Sequence, residues 1–133
     1  MRAETRTISI DARPDKLVAY LSDITNLPRW AIGFAKAVRR ADAGWLVQTG
    51  AGEIAIRIAS DTATGVVDFW MTPVPGVDVL AASRVIPRGA GSEYVFTQFQ
   101  GAGMSDDIFT KNVRALEHEL TVLKALVEIE CPL

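Results

Sequence analysis

One cysteine, Cys131, and one histidine, His118, are all that 133 residues offer of the side chains most used to bind metals or to attack substrates. A single cysteine cannot close an internal disulfide, which fits a reducing cytoplasm. A single histidine leaves no cluster of ligands at metal-binding spacing, so neither a metal nor another cofactor is expected. Charge of one sign is also lacking. Fourteen Lys and Arg face sixteen Asp and Glu, a net charge of −2 with no basic run, which argues against nucleic acid as a partner. No apolar run approaches the ~18 residues of a membrane span, and the first ten residues have no signal-peptide core. Repeats and low-complexity tracts are absent. The Gly-Ala-Gly runs at Gly50–Gly52 and Gly89–Gly91 each join two strand-like runs. They read as hairpin turns and not as phosphate cradles, which lead from a strand into a helix.

What is there is an ordinary globular composition, 49% hydrophobic and 23% charged. Its length suits one domain, residues 1–133. The clearest pattern runs from Met104 to Glu130, without Gly or Pro. Phe109, Val113, Leu116, Leu120, Leu123 and Val127 recur at helical spacing and form one apolar stripe. Ser105 stands where an N-cap belongs, and Asp106 and Asp107 suit the positive end of the helix dipole. His118 falls opposite the stripe, so it is expected on the surface, away from any Ser-His-Asp or Cys-His arrangement.

Upstream, Thr5–Ile10 alternates like a strand. Arg13-Pro14-Asp15 opens a helix with proline in its first turn, and a second short helical turn ends near Trp30. From Phe34 to Gln100, turn signals recur about every ten residues. They separate six runs of strand length: Phe34–Arg40, Trp45–Thr49, Ile54–Ser60, Val66–Thr72, Val77–Ile86 and Glu93–Gln100. Short links favour antiparallel pairing. The architecture expected is α+β: a seven-stranded antiparallel sheet wrapped on a long C-terminal helix, with two short helices between strands 1 and 2. Ile54, Ile56 and Ile58 share a face that should meet the helix. Other strands carry large apolar groups on both faces, so some outer cover is expected, a homodimer contact being one form of it.

That order of elements resembles the helix-grip fold of the START-like (SRPBCC) superfamily. The local text agrees. Asp23-Ile24-Thr25-Asn26-Leu27-Pro28-Arg29-Trp30 is similar to the D-x-x-N-L-P-x-W segment after the first helix. Arg84-Val85-Ile86-Pro87 with Gly91-Ser92-Glu93 and Phe96-Thr97 resembles the last hairpin of polyketide cyclase/dehydratase-like bacterial members. Gly103-Met104-Ser105-Asp106-Asp107 is similar to their entry into the final helix. The resemblance spans the chain and implies a ligand-binding cavity between sheet and helix. It leaves three functional readings open: a non-catalytic carrier of lipids or aromatics, a polyketide cyclase/dehydratase-like enzyme, or a protein-interaction module like the Hsp90 activators.

The partner expected is a small hydrophobic or aromatic molecule. In this fold the segment holding Trp30 and Phe34 closes the cavity mouth. Trp70, Tyr94 and Phe96 are further aromatic candidates for the wall. Asn112 and Glu119 lie on the helix between its main stripe and a second line, Ile108, Ala115, Val122 and Leu126. A polar pair so flanked lies either at a boundary or facing a wet cavity; Glu119 is read at a boundary, and Asn112, nearer the mouth, fits either. Asp68 and Arg84 sit within apolar runs, where an unpaired charge is costly. Such charges either face outward or pair with each other, or they anchor a ligand; as anchors, Arg84 would hold a carboxylate or enolate oxygen, and Asp68 or Tyr94 would move a proton.

Overall fold

A computed structural model describes all 133 residues. Seven strands are present: β1 (Ala3–Ile10), β2 (Ala37–Ala41), β3 (Gly44–Thr49), β4 (Gly52–Asp61), β5 (Val66–Val74), β6 (Val77–Arg88) and β7 (Gly91–Phe99). They form one antiparallel sheet in the order β1-β7-β6-β5-β4-β3-β2. The connection from β1 to β2 crosses from one edge to the other. It carries α1 (Pro14–Ser22), a 3₁₀ turn (Ile24–Asn26) and α2 (Leu27–Trp30). The chain ends in α3 (Asp106–Glu130), 25 residues and so roughly 37 Å long. No helix is long and apolar enough to cross a membrane.

Local chemistry accounts for the helices. The Ser105 hydroxyl accepts the Ile108 N–H at 3.2 Å and caps α3, with Asp106 and Asp107 in its first turn. Pro14 opens α1. Asp23 caps the 3₁₀ turn by accepting the Thr25 N–H at 3.0 Å. The first expected strand of the meander starts late, at Ala37. Residues 31–35 instead fold back as a turn, with the N–H groups of Phe34 and Ala35 both on the Ala31 carbonyl. At the β4–β5 turn, Gly65 has φ +78°, and a Cβ there would stand 2.0 Å from the Val85 carbonyl oxygen. Only glycine fits that approach.

All six residues of the α3 stripe are buried, and His118 is exposed. Leu116, Leu120, Leu123 and Val127 share one core cluster with Leu17, Val18, Tyr20 and Leu21 of α1 and with the inner face of the sheet. Ile56 belongs to that cluster, and Ile54 and Ile58 pack against it, so the isoleucine face meets the helices. Polar ties bind α3 to the β1 edge. Lys124 Nζ donates to the Ser9 carbonyl at 2.8 Å, and the Asp11 N–H donates to Glu128 at 2.8 Å. At the other end of β1, Arg2 reaches Thr110 at 3.0 Å and lies 5.0 Å from the centre of the Phe109 ring. These contacts occupy an edge that would otherwise invite strand pairing. The outer face has no second layer in the chain itself. Trp70 is half-buried there, with the Arg57 guanidinium 5.3 Å from its ring centre.

Candidate functional site

The sheet and α3 do not close completely on each other. A cavity of about 180 Å³ remains between them. Its floor is the inner face of the sheet: Ile56 of β4, Phe69 and Met71 of β5, Ala81 of β6, and Phe96 and Gln98 of β7. Its roof is one side of α3, Asn112, Ala115, Leu116 and Glu119. Its flank is the α2 segment, Leu27, Trp30, Ala31, Gly33 and Phe34. The exposed members of this lining, Gly33 and Asn112, mark the mouth.

Three aromatic rings meet edge to face or at a tilt along the wall. Trp30 stands 6.3 Å from Phe69, and Phe69 stands 6.0 Å from Phe96. Such a wall offers both ring faces and ring edges to a flat apolar guest. An enclosed apolar space of about 150 Å³ is enough for benzene. In this conformation the cavity is slightly larger than that. Ligand pockets more often measure roughly 300–1,000 Å³.

The polar groups are few, and Glu119 dominates them. It is only 6% exposed. Its Oε2 accepts the Gly33 N–H at 2.9 Å. Removal from water raises its pKa from the ordinary 4.5 to about 7, and the backbone N–H groups of Gly33 and Phe34 limit the rise. The residue lines the cavity, and the Gly33 bond falls on Oε2. The turn at 31–35 sits directly on α3. A Cβ at Gly33 would meet the Ala115 Cβ at 3.3 Å and Glu119 Oε2 at 3.4 Å. Glycine and alanine thus let the segment approach closely enough for the carboxyl to hold it. A second tie lies nearer the end of α3, where Arg29 forks onto Glu130 with both bonds at 2.9 Å. Gln98 lines the cavity with its amide oxygen enclosed and unpartnered. Asn112 makes only a weak contact to the Met104 sulfur at 3.8 Å.

Of the residues expected from sequence, the structure brings Trp30, Phe34, Phe96 and Asn112 to the cavity. Asp68, Trp70 and Arg84 do not reach it. In β5 the residues facing inward are Val67, Phe69 and Met71, and in β6 they are Ala81, Ser83 and Val85, so the alternate positions point outward. Arg84 is exposed, and its Nε donates to the Thr64 carbonyl at 3.2 Å. Asp68 lies in register between Ala59 and Ala82 on that outer face. Both therefore point away from the cavity. Tyr94 faces inward but is fully buried behind the wall. Its hydroxyl donates to Ser83 Oγ at 2.9 Å, and Ser83 in turn donates to the Val67 carbonyl. Burial drives the phenol pKa far upward, and the hydroxyl braces the floor through Ser83. Glu119, expected at a boundary, is inside the site. Its spacing signalled this, since it stands three residues after Leu116 and four before Leu123 on the buried side of the helix. Gln98 carried a fainter signal, the same parity as Tyr94 and Phe96 on β7.

Comparisons with known proteins agree with this architecture. A family model described as polyketide cyclase / dehydrase and lipid transport matches residues 1–128. No curated protein matches the sequence. Among solved structures, XoxI from Bacillus cereus superposes with a TM-score of 0.74 at 16% identity, over 98% of this chain and 99% of its own. The Zhui aromatase/cyclase from Streptomyces sp. R1128 gives 0.73 at 15% identity, over 96% and 93%. The Aha1 dimer from Colwellia psychrerythraea gives 0.72 at 17% identity, over 97% and 98%. At these identities the structural likeness establishes the fold and nothing finer.

Proposed function

Since the chain belongs to the polyketide cyclase / dehydrase and lipid transport family, we propose that it binds a small, mostly apolar molecule, aromatic in preference to aliphatic, under α3. The observation that carries this is the unfilled, aromatic-walled space between Trp30, Phe69, Phe96 and the helix. A domain that used only its surface would gain stability by filling such a gap, because interiors pack to crystal-like density. The gap therefore favours a ligand over the protein-interaction reading. Its size favours a compact ring over a long acyl chain. Small-molecule recognition also fits the near-neutral charge of the protein.

A thermal-shift series tests the reading, with indole, 2-naphthol and decanoate as probes. A ligand at a hundred times its Kd stabilises the fold by about 2.7 kcal/mol, a rise of several degrees in Tm. The two ring compounds are expected to give that rise and decanoate a smaller one. Ala115→Leu, which places side-chain volume in the roof, is expected to abolish the response while the protein stays folded. Equal shifts in the wild type and the Ala115→Leu protein would place binding elsewhere and sink the proposal.

A further inference from the structure

We propose that Glu119 is a general base toward carbon acids held in the cavity, so that the site can take a proton from an activated C–H of a small aromatic guest. The inference rests on the cavity being a binding site and goes beyond binding to a reaction.

Four observations carry it. Glu119 is the only ionisable residue of the cavity lining. Its Oε2 is fixed by the Gly33 N–H at 2.9 Å, so the carboxyl has a set orientation. The residue itself lines the space where a guest would sit. The lining it shares is mostly apolar, with Trp30, Phe34, Leu116 and Phe96 among its members. A carboxylate stripped of water is a stronger base than one in solvent, and a base fixed against its substrate avoids the entropic cost of encounter. No other charge faces it. The inward positions of the sheet that line the cavity are Ile56, Phe69, Met71, Ala81, Phe96 and Gln98, none of them ionisable. The 31–35 turn presents backbone N–H groups, and α2 presents Leu27 and Trp30. On α3 itself the neighbours Glu117 and His118 are exposed.

The probe is 5-nitrobenzisoxazole, a compact fused ring with one acidic C–H. Glu119 carboxylate would take the C3 proton. The electrons of that C–H bond form the nitrile, the N–O bond breaks, and its electrons leave on oxygen as the 2-cyano-4-nitrophenolate, which is coloured. The proton on Glu119 then exchanges with water. No oxidant, reductant or second reactant is needed. General-base groups contribute about 10²–10⁴-fold, so Glu119→Gln is expected to lower kcat/KM by about 100-fold. Glutamine keeps an oxygen for the Gly33 N–H, and circular dichroism verifies its fold. The wild-type rate should rise with pH through a single ionisation near 7, following Glu119, whereas surface carboxylates would give a rise near 4.5. His118→Ala is expected to leave the rate unchanged.

Quenching of Trp30 fluorescence by 5-nitroindole, an unreactive isostere, read in the Trp45→Phe, Trp70→Phe protein, separates the two ways of failing. If 5-nitroindole binds but Glu119→Gln turns over the probe as fast as the wild type, or the rise falls near pH 4.5, the base assignment is overturned and the binding proposal stands. If 5-nitroindole does not bind, both fall.

Discussion

At the scale of single residues, Glu119 makes the protein's stability depend on pH. Its carboxyl is protonated up to about pH 7 in the folded chain but only to about 4.5 once exposed. Between those values the folded state holds more protons than the unfolded one, so stability falls as pH rises and levels off above 7. The contribution is roughly 3 kcal/mol across that window. Urea denaturation at pH 5 and pH 8 should show this decline in the wild type. Glu119→Gln, neutral throughout, should lack it. An identical pH dependence in the two proteins would mean that Glu119 is not buried as described. The sequence held half of this residue's story. Helical period placed it between two apolar lines of α3, which read as a boundary, and its role comes from Gly33 and Phe34, which lie more than eighty positions away in the chain.

At the scale of elements, α3 was the easiest part to read, because one period of 3.6 fixes its whole buried face. Leu120→Asp should cost about 4 kcal/mol or more, since it removes a buried side chain and puts an unpaired carboxylate in its place. His118→Ala, two residues away on the exposed side, should change stability by less than about 0.5 kcal/mol. Chemical denaturation of both variants measures the contrast, and comparable losses would overturn the orientation of the helix. The strands were harder. Alternation separates Asp68 from Phe69 and Arg84 from Val85 within each strand, yet it does not say which set faces in. That choice follows from the register with each neighbour, and register depends on turn geometry. Phe69 opposite Ala81, and Ser83 opposite Phe96, put the ring wall inside and both charges outside. The irregular step between Met71 and Val74 shows how a hairpin can shift such counting.

At the scale of the whole molecule, the order of elements was legible from turn spacing and one long helix, and it fixed the architecture. The cavity was not legible as a volume, because it is what remains after the packing of distant segments. The same distances govern folding. β2 to β7 zip through neighbouring hairpins, but Thr5 meets Thr97 across 92 positions and Asp11 meets Glu128 across 117. Chains dominated by such long-range pairing refold in milliseconds to seconds. Stopped-flow refolding followed by tryptophan fluorescence should fall in that range, and microsecond folding would contradict it. The pairing of β1 with β7 also has a consequence for the order of manufacture. During synthesis β1 emerges first and must stay single until β7 has been made, and α3 is made after every strand. The wall of the cavity therefore exists before its roof. For that interval the isoleucine face and the rings of Trp30, Phe69 and Phe96 are open to water, and the nascent domain is at its most adhesive just before α3 is made.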